Sequence, residues 1–401
     1  MITPEPRELQ ELVRELHQQA APWLPSGLGT RLRWGPPVSP GPGETQPTVV
    51  STAQLSRVVE HNPGDFTITV EAGTPLQAVQ EVLAEQRQWL AVDWPWGGRT
   101  SGAGGGSIGG LVARGLAGGY RHRYLGVRDQ LIGIQLMRTD GTSARAGGKV
   151  VKNVAGYDLM RLLCGSWGSL ALITEVTLRT LPLPPERRGL WLTGPLGALT
   201  SLCRWLLNSS LSPERVEWLR SDDAEPGLLV SLASISPQTL DEQVACIGDK
   251  ASDHGCGSAP LTADQLLERL DQGRGGGTTP AWLLRLGVRP DRGAQLLHEP
   301  ALAGLPIVLG AASGLAMAWA AGGADLPAYR VEEIRRRCQS LGGFLTVLSQ
   351  PAGSTIPAWL DAPSRPLIEA VKRQFDPRQQ LARGRLPGVA PGAWAYSPST
   401  R

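Results

Sequence analysis

Apolar positions along the first 180 residues alternate or recur at helical spacing, and they divide that stretch into short elements. Thr48-Val49-Val50-Ser51 predicts a short buried strand, and Leu55, Val58 and Val59 predict a helix over residues 54–61 with those three side chains inward. Phe66 through Ala72 alternate apolar and polar, the pattern of a half-buried strand. Gly73-Thr74-Pro75 then reads as a helix start, with Thr74 as N-cap and Pro75 in the first turn, leading into a helix from Leu76 to about Gln88. Two stretches, 131–138 and 142–145, flank the turn signal Thr139-Asp140-Gly141 and predict a hairpin. Residues 170–180 predict one more strand, with Ile173, Val176 and Leu178 as its apolar positions.

Beyond residue 180 the pattern restarts. Prolines at 182, 184 and 185 break the sheet pattern and mark a boundary, so a domain over residues 1–184 is expected, then a second over 185–365. In the second, strands are predicted at 190–193, 228–232, 282–288, 307–309, 315–320 and 344–348, with helices at 196–207, 239–252 and 329–341. Residues 255–259 and the glycines at 273–277 read as surface connections. This predicts an antiparallel sheet with helices on one face. Residues 366–401 hold a helix striped by Leu367, Ile368, Val371 and Phe375, stopped by Asp376-Pro377, and then a proline- and glycine-rich tail.

Composition narrows the function classes. The chain has 401 residues with 39 Lys and Arg against 36 Asp and Glu, a net charge of +3 that is too balanced to imply a nucleic-acid partner. No stretch approaches the roughly 20 apolar residues of a membrane span, and the first residues lack a signal-peptide pattern, so a cytoplasmic location is expected. Peripheral membrane attachment through partners stays open. The five cysteines include no C-x-x-C, so neither a disulfide framework nor an iron–sulfur cluster is expected in this chain.

The strongest local signal is the run from Gly102 to Gly119, where glycines alternate with the apolar anchors Ile108, Leu111, Val112 and Leu116. Glycines let main-chain amides close around an anion, and the anchors pin the segment to a core, which a linker does not need. Gly104, Gly106 and Gly109 satisfy G-x-G-x-x-G, but residues 93–101 before them are rich in breakers where a nicotinamide-binding fold has a buried strand. No G-x-x-x-x-G-K-[ST] occurs, which argues against a nucleoside-triphosphate loop.

Taken in order, Gly27-Leu28-Gly29-Thr30, Gly73-Thr74-Pro75, Ser107-Ile108-Gly109-Gly110, Val127-Arg128-Asp129 and the stretch 168–176 resemble the flavoprotein family typified by vanillyl-alcohol oxidase and p-cresol methylhydroxylase. Within it, Gly148-Lys149-Val150-Val151-Lys152-Asn153-Val154-Ala155-Gly156-Tyr157-Asp158-Leu159 is most similar to the FAD-binding E subunits of bacterial glycolate oxidases. The C-terminal Asn-Pro-Gly-Arg of such relatives stands here as Ala382-Arg383-Gly384-Arg385. The resemblance implies an α+β chain: a p-cresol-methylhydroxylase-type FAD domain of two α+β subdomains, plus a smaller α+β cap domain with an antiparallel sheet. The C-terminal segment would return to the FAD domain.

The same resemblance implies non-covalent FAD, held by Gly27, Gly29 and Thr30, by Gly73 and Thr74, and by Ser107, Ile108, Gly109 and Gly110. It adds Arg128, Asp129, Lys149, Asn153, Gly156 and Ile173 to that set, and no metal. Oxidising a 2-hydroxy acid also needs a base for the hydroxyl proton and a cation for the carboxylate, for which Lys152 and Tyr157 are the candidate catalytic residues. Asp158 and Arg161 fit an i,i+3 helix-surface pair equally well.

The histidines at 17, 61, 122, 254 and 298 form no ligand-spaced pair, and the histidine-rich metal motif of the catalytic D-type subunits is missing. The expected role is therefore an FAD-binding oxidoreductase subunit of a complex that oxidises glycolate to glyoxylate. It would work with a D-type FAD subunit and an iron–sulfur F-type subunit that takes the electrons. Two rivals are a self-sufficient D-lactate-like 2-hydroxy-acid dehydrogenase and a non-catalytic assembly subunit.

Overall fold

The computed structural model describes residues 1–38, 40, 46–93, 96, 105–149, 157–221, 224–272, 280–320 and 326–390. The chain forms two compact units: residues 1–116, 126–182 and 357–401, and residues 117–125 with 183–356.

In the first unit a helix, Leu9–Gln18, buries Leu9, Val13 and Leu16, one stripe at i, i+4 and i+7. Those side chains meet Trp23, Val50 and Leu381 in a small core. Beside the helix, strands Trp23–Ser26 and Thr48–Ser51 run parallel, with Trp23 opposite Thr48 and Ser26 opposite Ser51. The larger layer is a five-stranded antiparallel sheet in the order Val58–Asn62, Thr67–Glu71, Leu172–Arg179, Leu131–Met137, Ser143–Gly147. Ile68, Val70, Leu131, Ile134, Val176 and Leu178 of that sheet share a core with Leu76, Val79 and Leu83 of helix Leu76–Glu85 and with Ile108 and Val112 of helix Ile108–Arg114.

The hairpin expected at 139–141 forms, with the Gly141 amide on Arg138 O and the Asp140 carboxylate on the Thr142 amide. The helix expected at 54–61 does not. Residues 58–62 are a strand paired with Thr67–Glu71, because adjacent Val58 and Val59 suit a pleated edge and the neighbouring strand supplies hydrogen-bond partners. Thr74 is not an N-cap: Pro75 holds that position without a side-chain bond, and the Thr74 hydroxyl donates to Arg57 O.

The second unit is built on an eight-stranded, wholly antiparallel sheet. Its order is Gly257–Leu261, Glu186–Thr193, Gly227–Ser234, Arg215–Arg220, Ile307–Gly310, Leu315–Ala320, Trp282–Gly287, Phe344–Ser349. One face, carrying Leu190, Leu192, Val230, Val216, Leu284 and Val347, packs against helices Leu196–Asn208, Pro237–Asp253 and Ala328–Ser340. Residues 255–259 are expected as a surface connection, but Gly257–Leu261 form the edge strand, where Pro260 is tolerated as an edge position. Helices are not confined to one face either. Leu266 and Arg269 of helix Ala263–Gln272 lie over Gly189 and the Trp191 ring, which alternate with Leu190 and Leu192 on the opposite side. The glycines at 273–277 lie outside the described residues.

Candidate functional site

Two glycine loops of the first unit meet. Strand Trp23–Ser26 runs out into Gly27-Leu28-Gly29-Thr30, where Gly29 has φ +74°, a left-handed conformation that favours glycine. The second loop enters helix Ile108–Arg114, whose Ser107 Oγ accepts the Gly110 amide at 3.2 Å. A Cβ on Gly27 would lie 1.9 Å from Ser107 Oγ, and one on Gly106 would lie 2.7 Å from Arg31 Nη1 and 3.0 Å from Thr30 Oγ1. Arg31 ties the two together, donating to Gly105 O at 3.0 Å and to Trp96 O at 2.7 Å.

The first loop is polarised. Its carbonyls are taken by protein donors: Ser26 O by the Thr52 amide, Gly27 O by Ser51 Oγ at 2.8 Å, Gly29 O by the Leu32 amide. Arg31 O and Trp34 O accept from Arg114 at 2.8 and 3.3 Å, while Leu32 O and Pro36 O accept from Arg385. In contrast, the amides of Gly27, Leu28, Gly29, Thr30 and Arg31 find no acceptor among the described residues. A run of amides without acceptors, next to carbonyls that are tied, is the makeup of an anion nest.

Charge agrees with that geometry. Burial pushes the Arg31 guanidinium down to about 10, and Arg385 likewise to about 10. Burial and then the neighbouring Arg385 and Arg31 hold Arg114 well below the usual arginine range. No ion pair joins any of the three to a carboxylate among the described residues, and Arg114 lies 4.1 Å from the centre of the Trp167 ring. Three clustered cations without a counter-charge raise the potential around the loops, which suits a diphosphate.

The second loop is stitched rather than open. The Ile108 amide bonds Thr74 O, the Gly109 amide bonds Ala72 O at 2.8 Å and Gly106 O accepts the Leu76 amide. Gly109 therefore serves close packing, since a Cβ there would lie 2.7 Å from Ala72 Cβ. Gly73 does the same, with Thr52 O only 1.9 Å from its hypothetical Cβ.

Of the other expected FAD contacts, the Ile173 side chain is in the hydrophobic core. Asp129 accepts the Gly126 amide at 3.2 Å and caps its own short helix, and Arg128 lies 3.7 Å from it in a half-exposed pair. Lys149 is paired with Glu60. Tyr157 is 88% exposed. Asp158 and Arg161 form the i,i+3 surface pair at 3.3 Å. Lys152, Asn153 and Gly156 lie outside the described residues.

Sequence reading overlooked Arg31, Arg114, Arg285 and Arg385. Only the basic residue after Gly27-Leu28-Gly29-Thr30 carried a local signal. Arg285, in the second unit, points away from the helix-packed sheet face and lies 5.4 Å from the centre of the Phe344 ring. Burial and then Arg121 lower its pKa, and it makes no ion pair among the described residues.

Residues 3–147 match the FAD binding domain family. Over 127 residues the chain is 39% identical to glycolate oxidase subunit GlcE of Escherichia coli, a match covering 32% of this chain and 35% of the relative. It is 34% identical over 188 residues to D-2-hydroxyglutarate dehydrogenase of Xanthomonas citri, covering 47% and 38%, and 29% identical over 234 residues to glycolate oxidase subunit GlcD of Bacillus subtilis, covering 56% and 46%. The matches thus span between a third and a half of these curated relatives. Among solved structures, alkyldihydroxyacetonephosphate synthase superposes with a TM-score of 0.66 over 95% of this chain and 75% of that one at 14% identity, a likeness of fold.

Proposed function

With an FAD binding domain in residues 3–147 as the premise, we propose that this chain is the FAD-carrying subunit of an assembly that oxidises glycolate, or a close 2-hydroxy acid, to the 2-oxo acid and hands the electrons to an iron–sulfur partner. The observation that carries the reading is the loop at 27–31, five amides without an acceptor beside three arginines without an ion pair among the described residues, which fits the diphosphate of a non-covalently held FAD. When bound, FAD supplies a two-electron acceptor for the hydrogen on the substrate α-carbon. The chain's own part is to hold that cofactor through the glycine loops and their arginines.

The similarity to GlcE and GlcD supports a multi-subunit setting, and the described residues hold no group of three or more His, Cys, Asp or Glu side chains that could bind a metal. The second reading is a self-sufficient 2-hydroxy-acid dehydrogenase, supported by the similarity to D-2-hydroxyglutarate dehydrogenase.

Glycolate-dependent dye reduction separates the two. We expect the isolated chain to turn over at least about 100-fold more slowly than its mixture with D-type and iron–sulfur partners, a difference of about 2.7 kcal/mol in barrier. Rapid turnover by the chain alone would replace the accessory reading with the self-sufficient one.

A further inference from the structure

The C-terminal segment is distant in sequence from the glycine loops, yet it is registered against the strand that feeds the first of them. The Trp23 amide donates to Gln380 O at 2.8 Å and the Ala382 amide to Trp23 O at 2.9 Å, a strand-like pairing beside Trp23–Ser26. The register is held from behind by Lys372, whose ammonium donates to Asp376, Ser169 O and Leu381 O, while Asp376 accepts the Gln380 and Leu381 amides. The chain then passes through Gln379 and Ala382 at φ +52° and +43°, a conformation that costs a non-glycine residue about 1–3 kcal/mol and persists only where its surroundings fix it. What this places is Arg385, buried, with Nε on Pro36 O at 3.0 Å and Nη2 on Leu32 O.

We infer that residues 379–390 are a working part of the FAD site, and that Arg385 is a positioning residue. By holding the carbonyls of Leu32 and Pro36, while Arg114 holds those of Arg31 and Trp34, it fixes the turn that follows residues 27–31, where the Leu32 amide donates to Gly29 O, and so anchors the loop that offers its amides to the diphosphate. Nε and Nη2 of Arg385 are engaged by the loop, and the residue acts through holding that loop and through its charge rather than by touching the cofactor. This rests on the FAD reading of the first unit and is independent of which hydroxy acid is oxidised.

The test is equilibrium binding of FAD, ADP and riboflavin to the full chain and to Arg385→Met and Arg385→Lys, with Arg378→Met as control, because Arg378 is exposed and, among the described residues, donates to His17 O alone. Arg385→Met should weaken FAD and ADP equally, by about 10- to 100-fold, and leave riboflavin, which lacks the diphosphate, unchanged. Arg385→Lys, which keeps the charge but cannot span two carbonyls, should recover part of the loss and keeps the test alive if the Met variant fails to fold. Amide hydrogen exchange at 27–31 should quicken in both variants. Equal ADP binding by the wild type and both Arg385 variants would overturn the inference alone, as would a loss of riboflavin matching that of ADP. Failure of the wild type to bind FAD or ADP would overturn the cofactor reading beneath it.

Discussion

Gly27→Val should abolish FAD binding, weakening it by more than about 100-fold, while the chain stays folded. The new Cβ would sit 1.9 Å from Ser107 Oγ and 2.9 Å from its Cβ, so the two glycine loops must part. The nest depends on their contact: Arg31, which starts in one loop, closes on the Gly105 carbonyl of the other. Because Gly27 is only half-buried and belongs to neither core cluster, the expected loss in stability is small, about 1 kcal/mol or less. Isothermal titration with FAD and ADP, alongside thermal unfolding, checks both halves. The smaller Gly27→Ala should regain binding when combined with Ser107→Gly, which removes the obstructing side chain. Undiminished FAD affinity in Gly27→Val would place the diphosphate elsewhere.

Lys372→Met should be the most destabilising of the simple substitutions. Lys372 and Asp376 are both buried, at 2.5 Å, and desolvation is the largest influence on the lysine, lowering its pKa against the pull of Asp376. Removing one member of such a pair leaves the other charged and unsatisfied, at a cost of about 3–5 kcal/mol. For a unit of this size that lowers the unfolding midpoint by roughly 10 °C, read by far-UV circular dichroism. Adding Asp376→Leu should restore part of the loss, because no isolated charge is then left inside. FAD affinity should fall with stability in the single variant, since the same residues hold the segment that carries Arg385. A midpoint within 2 °C of wild type, on the order of 0.5–1 kcal/mol, would mean that water or a rearranged chain satisfies Asp376.

Much of the first unit was legible because its signals are local. Alternation at 66–72 and 131–138, the Asp-Gly turn at 140–141 and the glycine loops each report a conformation that neighbouring residues dictate. Residues 58–62 were misread since Leu55, Val58 and Val59 also fit helical spacing, and only pairing with 67–71 decides between the two. The glycines expected to hold FAD divide in the structure: Gly27 and Gly29 lie in the loop whose amides have no acceptor among the described residues, whereas Gly73 and Gly109 allow close packing. The arginine clamp was not legible at all. Arg114 reaches a loop 80 residues back and Arg385 one 349 residues back, separations across which composition and spacing carry no information.

In the second unit the element pattern was readable while the two-sided cover of its sheet was not, because Gly189 and Trp191 alternate with Leu190 and Leu192 and look equally buried from sequence. Residues 117–125, adjacent in sequence to the glycine run, belong to that second unit, where Tyr124 bonds Glu214 at 2.7 Å and the Tyr120 ring centre lies 4.3 Å from Arg215.

The central claim is that the loop at 27–31, with the second glycine loop against it, holds the diphosphate of a dissociable FAD. Titrating the purified, flavin-stripped full chain with FAD while following the flavin absorption and fluorescence tests it most directly. The account predicts uptake of one FAD per chain, competition by ADP and complete release of intact FAD on denaturation. A chain that takes up no FAD, or flavin that remains attached to the denatured polypeptide, would contradict it.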